Sequence, residues 1–186
     1  MKLAVFFPGI GYRFDKPLLY YSKKLAAECG FDTILEVDYQ IKKTKNIRGN
    51  EEKMQQAYQE ACQNGKQFLE SISWEDYEDV VFVSKSIGTA VAANFANHYQ
   101  RKIRQIYYTP LAQTFLANPT PGIAFSGTAD PWVPDVESLI RQCQKSKIET
   151  HRIEGANHSL EVADTMENLK ILQEVMEKSR EYLQRK

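Results

Sequence analysis

The sequence is short of the residues that mark several large classes of protein. It has three cysteines among 186 residues, Cys29, Cys62 and Cys143, and they lie far apart. An odd number at that spacing makes neither a disulfide framework nor a CxxC metal pair. No grouping of His, Cys, Asp and Glu has metal-ligand spacing, so no metal and no cofactor is expected. Charge of one sign is not in excess either: 24 Lys and Arg face 24 Asp and Glu. A protein that tracks phosphates carries a basic surplus, because each neutralised phosphate takes a Lys or Arg, so nucleic acid is not an expected partner. The densest basic stretch, Lys42-Lys43-Thr44-Lys45 with Arg48, is soon followed by Glu51-Glu52 and reads as a solvated loop. Long apolar runs are missing as well. Nothing approaches the roughly 20 apolar residues that span a bilayer. Residues 3–7, closed by Pro8-Gly9, are too short a run for a secretory signal. The expectation is a cytoplasmic protein with no membrane partner.

What is present suits a folded chain with a sizeable core. Hydrophobic residues make up 42% of the chain and aromatics 11%. At roughly 150 residues per domain, residues 1–186 are expected to form one domain. Short runs rich in Val, Ile, Phe and Tyr recur at 3–7, 33–37, 80–83, 103–108, 122–125 and 148–153. Most are continuously apolar, as strands covered on both faces are. The last interleaves Thr150 and Arg152 and reads as an edge strand, which would allow a homodimer as well as a monomer. Helical patterns lie between them at 16–29, 51–70, 87–99, 135–145 and 162–184. The first opens with Asp15 and Pro17 and stops near Gly30, as helix signals should. Strands alternating with helices imply βαβ crossovers, hence an α/β fold with a parallel sheet between helical layers.

In open α/β sheets the chemistry lies beyond the C-terminal ends of the strands. One such end reads Val83-Ser84-Lys85-Ser86-Ile87-Gly88-Thr89-Ala90, a buried strand turning into a helix of small residues. Taken alone, the pattern also fits a serine that caps a helix. Two further strand ends add context. Residues 122–126 lead into Gly127-Thr128-Ala129-Asp130-Pro131-Trp132-Val133-Pro134, and residues 148–153 lead into Glu154-Gly155-Ala156-Asn157-His158. Ser86, Asp130 and His158 therefore follow one another at separations of 44 and 28 residues, each gap holding its intervening elements.

These three loops resemble the nucleophile elbow, acid loop and histidine loop of the α/β-hydrolase superfamily, whose members place Ser, acid and His in that chain order. The resemblance runs from Leu3 to the last helix, with Ser84 at the first glycine of the elbow. It is greatest to the small, capless, single-domain serine hydrolases. It implies a three-layer αβα sandwich around a mostly parallel six-stranded sheet in the order 2-1-3-4-5-6, with no cap domain. Only residues 109–121 separate the fourth and fifth strands, too few for a lid. By the same match Ser86 is the nucleophile, His158 its base and Asp130 the group behind the imidazole. The oxyanion donors would be the backbone N–H groups of Ile87 and of Ile10, in a loop where Pro8 replaces the family's His. The implied reaction is hydrolysis of a small carboxylic ester or thioester; a binding protein with little turnover and an acyltransferase are the alternatives.

Other candidates are weaker. Tyr12, Tyr108, Leu111, Phe115 and Trp132 lie near strand ends and are candidates for a substrate pocket. Asp135 reads as the cap of the helix that begins near Val136. His98 and His151 fall within a helix and a strand and read as structural. Gly9-x-Gly11 lacks the third glycine and the Lys-Ser/Thr of nucleotide loops. The elbow should aim Lys85 away from Ser86. With no lid, the expected site is shallow and open.

Overall fold

The apolar runs become strands of one sheet in the computed structural model, which describes residues 1–41, 46–99 and 101–185. The strands are β1 (Lys2–Phe7), β2 (Thr33–Glu36), β3 (Asp79–Lys85), β4 (Arg104–Tyr108), β5 (Gly122–Gly127) and β6 (Ile148–Ile153). Their order is β2-β1-β3-β4-β5-β6, and every pairing is parallel. β6 is an edge, as its mixed pattern implied, and β2 is the other. The basic stretch at 42–45 lies outside the described residues.

Helices α1 (Pro17–Glu28), α2 (Glu51–Glu70), α3 (Ile87–His98), α5 (Val136–Lys145) and α6 (Thr165–Gln184) match the periodic segments. The match follows from local chemistry. Pro17 opens α1, where its missing N–H costs nothing. Asn50, Asp135 and Asp164 cap α2, α5 and α6 by accepting from Lys53, Ser138 and Glu167 N–H. Asp135 is thus the cap it was expected to be. The sequence pattern gave no sign of α4 (Ala112–Leu116), which lies in the short stretch between the fourth and fifth strands.

Alternation along continuously apolar strands feeds two cores. Ala4 and Phe6 of β1 face Leu18, Leu19, Ile171 and Val175 of α1 and α6. Leu3, Val5 and Phe7 face Ala61, Leu69, Val91 and Phe95 of α2 and α3. A third apolar cluster on that second face joins Met54, Ile87, Leu111, Leu139 and Cys143 near the strand ends. The result is three layers, with the strand ends carrying the loops that the sequence singled out.

Candidate active site

β3 delivers Ser86. The strand ends at Lys85 and α3 begins at Ile87, so the whole reversal falls on Ser86, at φ 57° and ψ −126°. A non-glycine residue there is strained, and it persists only because its surroundings over-determine it. Ser86 N–H donates to the Tyr108 carbonyl at 2.9 Å. Its own carbonyl accepts from the Thr89 hydroxyl at 2.6 Å. Ser84, two residues earlier, is buried and donates from Oγ to the Ile106 carbonyl at 3.1 Å, so a serine fits where the elbow asks for a small residue. Gly88 has no such latitude: a Cβ there would lie 2.5 Å from the Phe7 carbonyl and 2.6 Å from that of Pro8.

The loops after β5 and β6 bring two more groups to Ser86. Thr128 N–H donates to the Ile153 carbonyl at 3.0 Å and Ala129 N–H to that of Ala156 at 3.0 Å, locking the two loops together. Asp130 Oδ1 accepts from Trp132 N–H at 2.8 Å. Its Oδ2 accepts from His158 Nδ1 at 2.6 Å. That bond leaves Nε2 as the free acceptor, 2.7 Å from Ser86 Oγ. The carboxylate is wholly buried and the imidazole side chain 17% exposed, so the line runs from interior to surface. The Trp132 ring stacks on the imidazole, with centroids 5.3 Å apart.

Burial pushes the His158 imidazole below its ordinary range. The bond to Asp130 works against that and the nearby Lys85 charge adds to it. A neutral imidazole bonded to a serine hydroxyl can take its proton, and a carboxylate behind it can stabilise the cation that results.

The open side of Ser86 is a cleft of about 220 Å³ whose lining includes Ile10, Ile87, Tyr12, Trp132, Met54 and His158. Both expected oxyanion donors thus border it, and so do two of the five pocket candidates. Leu111 and Trp132 border a neighbouring hollow of about 370 Å³ with Ile47 and Met54. Two candidates are corrected. Tyr108 is fully buried on the opposite face, where its hydroxyl meets Ser22 Oγ and Ser179 Oγ, each at 2.8 Å. Phe115 packs on the apolar cluster around Ile87 and Leu111 instead of lining the cleft. His98 packs edge-on to Tyr99, and His151 stacks on Phe125, both away from the cleft as expected. Met54, at the start of α2, was not read from the sequence. Lys85 borders the same cleft, and its Nζ donates to the main-chain carbonyl of His158 at 2.8 Å. Among the described residues no group of His, Cys, Asp and Glu could hold a metal ion, and no helix is long and apolar enough to cross a membrane.

No protein-family model matches the sequence, and no curated protein matches it. Solved structures do. An α/β serine hydrolase homologue from Coxiella burnetii superposes with a TM-score of 0.65 over 99% of this chain and 83% of that one, at 15% identity. The fold is that of the α/β hydrolases. Est1E from Butyrivibrio proteoclasticus, with ferulic acid bound, shares this α/β-hydrolase fold at TM-score 0.66, 12% identity and coverage of 100% and 90%. A serine hydrolase without a lid from Xanthomonas campestris gives 0.66, at 11% identity and coverage of 100% and 84%.

Proposed function

We propose that this chain is a serine hydrolase that cleaves a small carboxylic ester or thioester through an acyl-enzyme. The observation that carries the reading is the continuous hydrogen-bonded line from Ser86 through His158 to Asp130, set on a strained elbow and open to a cleft. The likeness to esterases and serine hydrolases of the same fold supports it.

In the proposed reaction Ser86 Oγ attacks the carbonyl carbon while His158 Nε2 takes its proton. The Ile87 and Ile10 N–H groups meet the oxyanion, one such donor being worth about 3 kcal/mol. The imidazolium returns the proton to the departing alcohol or thiol, leaving the acyl group on Oγ. Water then attacks, its proton passing to His158, and collapse releases the carboxylic acid and restores the Ser86 hydroxyl. Asp130 holds the imidazole in the required tautomer and opposes the positive charge it gains. The balanced net charge offers no electrostatic steering, and a cleft of about 220 Å³ suits a short acyl group.

A fluorophosphonate probe tests this reading. The folded wild type should be labelled at Ser86 and the Ser86→Ala variant should not. A folded wild type that stays unlabelled overturns the assignment.

A further inference from the structure

Lys85 is the last residue of β3, and its ammonium has no part in the reaction above. Its side chain is nevertheless 1% exposed. Nζ donates to Thr109 Oγ1 at 2.5 Å and to the main-chain carbonyl of His158 at 2.8 Å. It also lies 4.9 Å from the centroid of the Tyr12 ring. A hydroxyl, a carbonyl and an aromatic face thus surround it, and none of these contacts is a carboxylate. Such a cation is costly to bury, because neutral oxygens replace only part of its hydration.

The chain geometry gives this arrangement a use. Lys85 and Ser86 are consecutive, and both reach His158: Ser86 bonds its ring and Lys85 its backbone. One dipeptide therefore grips the histidine at both ends, so Lys85 fixes the distance over which the ring must span to Oγ. Thr109, which takes another Lys85 proton, is itself fixed by its N–H bond to the Phe125 carbonyl at 2.8 Å.

The charges that face Lys85 come from three other strand ends. Asp130 follows β5 and attracts the ammonium, and His158 follows β6. Tyr12, after β1, has its phenol raised by burial and stays neutral. Burial lowers the Lys85 ammonium to about 7 even with Asp130 opposing the shift. While protonated, it disfavours a second cation on the imidazole.

We infer that Lys85 is a positioning residue for the base: it clamps His158 by its main-chain carbonyl and so holds the ring within reach of Ser86 Oγ. The inference rests on the reading of His158 as the base. Neither the loop motif nor the triad requires a lysine at this place.

The test reads His158 directly by NMR titration of its ring carbon, beside fluorophosphonate labelling of Ser86. In Lys85→Met the His158 midpoint should rise by roughly one pH unit, the size of a nearby-charge effect. Labelling at pH 8 should slow by about tenfold or more as the imidazole loses its anchor. An unmoved midpoint with unchanged labelling overturns the inference. The wild type gives a check that needs no variant to fold. Its His158 signal should respond a second time as Lys85 loses its proton near pH 7. A His158 signal with a single inflection, unmoved while Lys85 itself loses its proton, overturns the charge role. Unlabelled wild type would instead remove the base assignment, while the titrations still decide whether Lys85 and His158 are coupled.

Discussion

A histidine acts as a base only when it is neutral, so the direction in which its surroundings push it decides where an enzyme works. At His158 burial dominates and pushes the imidazole down, the Asp130 bond recovers part of that, and Lys85 pushes it down again. The folded value therefore lies below the ordinary imidazole value of about 6.5. The free-enzyme profile of kcat/KM for a nitrophenyl ester should be level through neutrality and fall only on the acid side of pH 6.5, as His158 gains a proton. Stopped-flow or plate assays from pH 4.5 to 8.5 check this. An acid limb with its midpoint above pH 7 would show that burial does not govern His158. The residues in that argument differ in how far the sequence reveals them. Ser86, Asp130 and His158 stand in strand-end loops whose neighbours resemble the family's three motifs, and that resemblance together with chain order nominates them. Lys85 carries no such signature. Strand alternation implies that it turns away from Ser86, but the carbonyl that meets it belongs to a loop 73 residues further on.

At the scale of elements, the site depends on how closely β5 and β6 run together at their ends. Gly127 closes β5 opposite Ile153, and a Cβ on it would collide with the Ala156 carbonyl and approach that of Asn157 to 2.7 Å. These carbonyls belong to the segment that carries His158, so the strand end has room for hydrogen there and nothing larger. Gly127→Ala should force the β6 loop outward, slowing Ser86 labelling by about a hundredfold. It should cost about 2 kcal/mol in urea denaturation, the range of an overpacked site. Labelling at the wild-type rate would show that the loop can shift without moving the imidazole. The same scale explains what sequence reading misplaced. Tyr107 and Tyr108 are adjacent in β4 and must face opposite sides, yet an apolar strand buried on both faces does not say which side holds the cleft. Neither hydroxyl reaches it: Tyr107 donates to the Thr120 carbonyl and Tyr108 meets Ser22 and Ser179. Helix α4 is a single short turn, below the length at which hydrophobic periodicity can be recognised. The long helices were legible because their period repeats enough times to be read, whereas the sheet order came only with the resemblance to the α/β hydrolases.

For the molecule as a whole, the balance of charges leaves shape as the main determinant of which substrate would fit the cleft. The segment between β4 and β5 carries only the short α4, so nothing from that crossover covers the cleft. The wall on the other side comes from the N-terminal end of α2, where Met54 borders both the Ser86 cleft and the neighbouring hollow with Trp132. Met54 is distant in sequence from the strand-end loops and sits in a largely polar helix. Only the crossover from β2 to β3 brings it there. Met54 and Trp132 together partition a space of about 220 Å³ beside the serine from one of about 370 Å³ beyond it. Nitrophenyl acetate and butyrate should accordingly be cleaved with higher kcat/KM than octanoate by the wild type. Met54→Ala keeps a good helix former at the position while removing most of the divider, at a cost of about 2 kcal/mol or more in stability. Its octanoate-to-acetate ratio of kcat/KM should rise by about tenfold, since a few buried methylenes at about 0.8 kcal/mol each suffice. An unchanged ratio in a folded Met54→Ala protein would place the acyl chain elsewhere, with Tyr12 and Ser159 as the next walls to open.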